Sequence, residues 1–270
     1  GGAVSLSAMG EREPLHIFLI ARSDGTSLFL HPFLERQRVM ERMEGYPLHG
    51  LYGREPRVEA ITGLRNELYR LIEEEIRDWI GEARFIPRFL IAAGVFLVVY
   101  VGMSLAVRDP VPMVDELGIA LGAAVAAFLV RRKREMSSDI ALSKRAKLRS
   151  KVDGIVFSES DFVKEIEALL HDEEGASADR IVERLSDRWE VEIDPRHRET
   201  AKEFVAYLRK KLNTGNYRRQ EKRLVAKDRG AMSSRDQQNL RRWAAGKKVD
   251  LPLFALYVRL KRHLDKHVIG

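Results

Sequence analysis

The apolar positions change period three times along the chain. LHIFLIA, Leu15–Ala21, and TSLFLHP, positions 26–32, are apolar runs on either side of Ser23-Asp24-Gly25. Asp-Gly favours a hairpin turn because glycine tolerates positive φ, so strands are expected near 15–21 and 26–32. A two-stranded hairpin is marginal alone and needs a covering layer, either from the following helices or from a second copy. Phe33–Glu44 is expected to be helical, and GYPLHGLYGREP, Gly45–Pro56, reads as loop. The period then becomes helical. Val58, Ile61, Leu64, Leu68, Leu71, Ile72, Ile76, Trp79 and Ile80 form one stripe with a charged back, as in an amphipathic helix or a coiled-coil-like bundle.

Periodicity vanishes at Phe89–Val107, 19 residues without a charge. At 1.5 Å per residue this is roughly 28 Å of helix, close to the hydrocarbon thickness of a bilayer. Arg84 and Arg88 precede it, and Arg108-Asp109-Pro110 closes it. A second smooth stretch, Leu117–Val130, has 14 residues and ends at Arg131, Arg132, Lys133 and Arg134. Alone it is short enough for a buried soluble helix. Extended back to Val111 it is long enough to span. The neighbouring span, the short proline-containing turn and the four terminal bases favour a transmembrane hairpin with both termini cytoplasmic. The four bases then set topology or meet lipid headgroups, and a bacterial inner membrane or another plasma membrane is the expected location.

Two features of the hairpin admit more than one reading. Asp115 and Glu116 stand at the outer headgroup boundary or border an ion path between assembled helices. Gly118 and Gly122 make a GxxxG pair extended by Ala126, and Gly94 and Gly102 offer close approach on the first helix. Small residues let helices pack where lipid supplies no hydrophobic drive, either within the hairpin or between copies.

After a basic juxtamembrane stretch the helical period returns. Ser158-Glu159-Ser160-Asp161 resembles a capping box before Phe162, Ile166, Leu169 and Leu170. Ile181, Val182, Leu185 and Trp189 share a face. Asp194-Pro195 is a start signal for a helix carrying Ala201, Phe204, Val205, Leu208 and Leu212. Asn213–Arg235 is polar and poor in core residues. Ser234-Arg235-Asp236-Gln237 opens a helix to Gly246, and Pro252 starts the last one. The expected divisions are an α+β portion at 11–86, the transmembrane hairpin at 87–134, a basic stalk at 135–154, an acidic helical module at 155–213 and a basic linker with terminal helices at 214–270. The fold class is thus a mainly α integral membrane protein with cytoplasmic α+β and helical portions. Gly1-Gly2 reads as a processed start or added scar and is left out of this division.

Charge sharpens the division. The overall +7 hides blocks of −4 over residues 1–130, +7 over 131–151, −9 over 152–200 and +13 over 201–270. An acidic stretch followed by a basic one suggests contact within the chain, between copies or with partners. Nucleic-acid binding is disfavoured, because the best three-helix candidate is the acidic one.

Candidate chemistry changes the picture little. The chain has no cysteine, which excludes disulfides, thiol catalysis and Cys-based metal sites. No Walker loop, dinucleotide fingerprint, HExxH or GxSxG occurs. His263 and His267 lie four apart but lack further ligands. No cofactor or catalytic residue is expected. Trp79, Arg241, Arg242, Lys247 and Lys248 are candidates for a partner surface. The expected function is a membrane-tethered scaffold or assembly subunit, contacting membrane lipids, forming a homo-oligomer and recruiting a cytoplasmic protein. The alternatives are a subunit of an oligomeric ion channel or transporter and a membrane-tethered nucleic-acid regulator.

Overall fold

The structure is a computed structural model that describes residues 13–35, 39–107, 114–187, 191–225, 233–246 and 249–266. The chain is mainly helical and divides into two compact units. One comprises the segments up to Gln37, Gly45–Arg65 and Ile155–Gly270; the other comprises Arg38–Glu44 and Asn66–Gly154.

The first unit is built on a four-stranded sheet of β1 (Leu15–Ala21), β2 (Ser27–Leu30), β3 (Leu48–Tyr52) and β4 (Val156–Glu159), in the order β2-β1-β3-β4. β1 and β2 form the expected hairpin, with Phe18 opposite Leu30. Its turn is locked by Gly25 at φ 81° and by Asp24, whose carboxylate accepts from Thr26 N at 2.9 Å. β3 runs parallel to β1, placing Ile17 opposite Gly50, and β4 runs parallel to β3, placing Gly50 opposite Phe157. The stretch read as loop therefore contains a strand. LHGLY lacks alternation and carries a central glycine, so only its partners reveal it.

β1 is buried on both faces, which explains its unbroken apolar run. Phe18 and Ile20 join a core supplied by the C-terminal helices: α6 (Asp161–Glu174), α7 (Ala178–Ser186), α8 (Arg198–Lys211), α9 (Gly215–Val225), α10 (Ser234–Ala244) and α11 (Leu251–Lys266). Phe18, Phe162 and Phe204 meet edge to face, with ring centroids 5.2–6.3 Å apart. The covering layer that the hairpin needs thus comes from later in the same chain. The helices expected within 155–213 and those after it share this one core.

Three local starts differ from expectation. Val156–Glu159 is strand, so the cap of α6 is Ser160, without a side-chain capping bond. α10 is capped by Ser233, one residue earlier than read, through Asp236 N. The polar stretch after Asn213 contains α9, whose Leu224 is buried and whose Glu221 accepts from Tyr257 Oη at 2.7 Å. Asp194 caps the 3-10 turn Pro195–His197 ahead of α8, as its sequence predicts. Trp189, Lys247, Lys248 and His267 lie outside the described residues.

The second unit holds α1 (Val39–Gly45, up to Glu44), α2 (Val58–Ala83) from Asn66 onward, α3 (Phe85–Val107), α4 (Val114–Met136) and α5 (Asp139–Asp153). The helical stripe of α2 is buried as expected, with Leu68, Ile72 and Ile76 fully enclosed. α5 packs Leu148 and Val152 into this unit. Its bases find partners there: Arg145 and Arg149 reach Glu73 at 2.7 and 2.9 Å, and Lys151 Nζ donates to Met43 O and Glu44 O. Among the described residues one helix is long and apolar enough to cross a membrane, Phe85–Ala106, with a mean hydropathy of 2.4 over its best window. Arg108, Asp109 and Pro110 lie outside the described residues, as do the side chains of Asp115 and Glu116 at the start of α4.

Candidate membrane-boundary site

Pro87 determines the geometry where α2 gives way to α3. A proline has no N–H and its ring crowds the carbonyl four residues back, so the helical ladder breaks there. Pro87 therefore cannot donate to Ala83 O, while Arg84 N still donates to Ile80 O at 3.2 Å and Arg88 N to Arg84 O at 3.1 Å. Arg88, only 2% exposed, adds its side chain to the same junction. Its Nη2 donates to Ile80 O at 2.6 Å and to Gly81 O at 3.1 Å, and its Nε to Arg84 O at 3.2 Å. The same guanidinium lies over the Phe128 ring of α4 at 5.4 Å and forms an ion pair with Glu135 Oε2 at 3.0 Å. Glu135 also receives Arg131 across one helical turn at 3.3 Å. One buried arginine therefore ties the ends of α2, α3 and α4 together. In the sequence Arg88 stands as a flanking charge. The i, i+4 pair of Arg131 and Glu135, with Pro87 beside Arg88, was the available signal.

Beside this cluster is a cavity of about 520 Å³, lined by Trp79, Ile80, Ala83, Arg84, Arg131, Arg134, Glu135, Ser138 and Ile140. Two of the four terminal bases, Arg131 and Arg134, enter its wall. Arg132 and Lys133 are exposed and do not line it. Trp79 is half-buried and holds the ammonium of Lys144 over its ring at 4.8 Å. Ser138 caps α5 by accepting from Ala141 N. The cavity wall thus carries three arginines, one tryptophan and the carboxylate of Glu135. Beyond it, Phe85, Ile86, Phe89 and Leu90 of α3, with Leu129 and Val130 of α4, are all exposed.

α3 and α4 lie along each other through Ala92, Ala120 and Ala124, all buried. Gly94, Gly102, Gly118, Gly122 and Ala126 are exposed instead, and a Cβ added to any of these four glycines would meet nothing within 4 Å. The small residues singled out in the sequence are thus not the ones that bring the two helices together.

A second cleft, about 300 Å³, opens in the first unit at the carboxyl ends of β1 and β3. Its polar groups are largely committed to holding the strand ends. Glu167 of α6 accepts from Ala21 N at 2.8 Å, and His171 Nε2 lies 3.0 Å from Ala21 O. Burial pushes the Glu167 carboxyl up, against the backbone hydrogen bond that favours its charge. Gly53 makes room for it, since a Cβ there would lie 2.5 Å from Glu167 Oε2. Arg22 donates to Asp250 at 2.7 Å and to Glu174 at 2.6 Å. Burial opposes its charge, but these two partners outweigh burial and hold the guanidinium above its ordinary value.

Some bases of the C-terminal half find acidic partners within the chain. Arg259 pairs with Glu173 in the buried core, Lys261 with Glu221, and Arg241 reaches Asp179 at 3.3 Å on the surface. Arg242 is exposed beside it. Among the described residues no group of three His, Asp or Glu side chains could hold a metal ion. Comparison of the chain with protein-family models, curated proteins and solved structures gives no match.

Proposed function

We propose that the chain is a membrane-tethered scaffold or assembly subunit, in which α3 and α4 form a two-span hairpin inserted into a cytoplasmic α/β unit. The observation that carries this reading is the pairing of β3 with β4. β3 precedes the apolar segment and β4 follows it, and both lie in one sheet. If α3 crosses a bilayer, the chain must cross back before β4, and α4 is the segment available. The returning helix ends in four consecutive bases, which favour the cytoplasmic face.

Self-association is supported by the open glycines. Gly118, Gly122 and Ala126 recur every four residues on one face of α4, which permits close backbone approach by another copy. The cytoplasmic unit, closed by its own core, is then held at the membrane surface for protein partners. Crosslinking in native membranes, followed by mass identification, tests this reading. It predicts self-crosslinked species and at least one foreign cytoplasmic protein, with self-crosslinking lost in Gly118→Leu/Gly122→Leu. Recovery of monomer alone contradicts it.

A further inference from the structure

We propose that the cavity bounded by Trp79, Arg84, Arg131 and Arg134 is a binding site for the phosphate of an anionic phospholipid headgroup. The inference rests on the membrane reading above and adds a specific ligand to it.

Charge bookkeeping inside the cavity points to an anion. Its one lining carboxylate, Glu135, already receives Arg88 at 3.0 Å and Arg131 at 3.3 Å. Among the described residues no carboxylate lies within ion-pair distance of Arg84 or Arg134. Two arginines of the cavity wall therefore have no counter-ion among the described residues. Guanidinium forks match phosphate oxygens in geometry and form charge-assisted hydrogen bonds with them. The volume of about 520 Å³ lies within the range of small-ligand sites.

Position decides between a lipid and a soluble phosphate. The other walls are Trp79, Ile80, Ala83 and Ile140, and the outward surface of α3 and α4 turns apolar within a turn of Arg84 and Arg131. A phospholipid whose phosphate is held by the arginines would lay its acyl chains against Phe85, Phe89 and Val130. Indole rings favour this depth, where one side is wet and the other apolar. Basic pockets between helices on the cytoplasmic side suit anionic headgroups. A free phosphate gains nothing from the apolar rim.

The test uses the full chain with vesicles of phosphatidylcholine alone or with phosphatidylglycerol. Flotation first reports whether the chain enters the bilayer at all. Native mass spectrometry of the detergent-extracted chain then reports which lipid stays bound. The inference predicts retention of phosphatidylglycerol over phosphatidylcholine by about thirty-fold, the scale expected from two basic side chains near a charged surface. Arg84→Gln/Arg134→Gln abolishes this preference, Arg84→Lys/Arg134→Lys keeps part of it, and Arg241→Gln/Arg242→Gln leaves it intact. Both replaced arginines are exposed, and an unchanged circular dichroism spectrum establishes that the variants are folded.

A chain that floats but shows no preference, or keeps its preference in Arg84→Gln/Arg134→Gln, overturns the lipid site and leaves the membrane reading standing. Displacement of the lipid by millimolar inorganic phosphate, with the same arginine dependence, assigns the cavity to a soluble phosphate and overturns the lipid source. A chain that fails to float overturns both.

Discussion

Gly50 and Phe157 stand opposite each other in the β3–β4 ladder, and the Phe157 ring occupies the space that a side chain on Gly50 would need. The two residues come from opposite sides of the apolar helical segment. Their contact joins the chain before it to the chain after it. Gly50→Ala forces the ring off the sheet and is expected to destabilise the first unit by about 1–3 kcal/mol, the usual range for overpacking. Chemical unfolding of the detergent-solubilised protein measures this. In Gly50→Ala/Phe157→Ala the loss is less than the sum of the single losses, because the second change removes the clash. Strict additivity would show that the two side-chain volumes do not compete.

Arg88 is expected to be structural. Arg88→Leu removes the side-chain donors to Ile80 O and Gly81 O and, among the described residues, leaves Glu135 paired with the half-exposed Arg131. Breaking one partner of a buried ion pair costs about 3–5 kcal/mol. The thermal midpoint of the variant falls, and Arg88→Leu/Glu135→Leu recovers part of the loss. A single variant as stable as the parent would contradict the clamp.

Arg259 and Glu173 pose the same question in the first unit, where both are buried. Arg259→Met leaves Glu173 with Arg184 at 3.3 Å and is expected to cost about 3–5 kcal/mol. Replacing both, as Arg259→Met/Glu173→Leu, is expected to cost much less, since an apolar pair of similar volume avoids desolvation. Unfolding curves of the three variants distinguish these outcomes.

Two carboxylates should give opposite pH signatures. Burial pushes Glu203 up, but its hydrogen bonds with His16 and Tyr207 outweigh this and hold its carboxyl below the ordinary 4.5. Its contribution to stability is therefore present above the unfolded value and lost as pH falls through the folded one. Glu167 is held above 4.5, chiefly by burial. Its ionisation costs stability as pH rises through its folded value, and that cost disappears under acid. Unfolding followed between about pH 3 and 7 should show Glu203→Gln less stable than the parent at neutral pH, with the gap closing under acid. Glu167→Gln, which keeps an acceptor for Ala21 N, should lose less stability on going from acid to neutral pH than the parent. A constant gap for Glu203→Gln would mean that this carboxylate does not gain from its partners.

How much of this could be read from the chain depends on where each signal resides. β1 is legible because its apolar run meets a local Asp-Gly turn, and α2 because its stripe repeats every helical turn. β3 and β4 are not, since Leu48–Tyr52 and Val156–Glu159 carry weak patterns and become strands through partners distant in sequence. α9 was hidden by its bases, although Leu224 and Glu221 face the core. At the candidate membrane-boundary site, Trp79, Arg131 and Arg134 are legible as residue types suited to an interface. Arg84 and Arg88 read only as flanking charges. What separates a buried clamp from an open cavity wall is a fold-level property, set by the junction of α2 and α3 at Arg84 and the return of α4 past it.

The two-span arrangement is the claim on which the scaffold and lipid readings both stand. Because the chain has no cysteine, single cysteines can be introduced at Val111, between the helices, and at Ser137 and Ser234. A membrane-impermeant maleimide applied to intact cells or spheroplasts is predicted to label Val111→Cys from outside, and to label Ser137→Cys and Ser234→Cys only after lysis. Labelling of Val111→Cys and Ser137→Cys from the same side of the membrane would contradict a second crossing by α4.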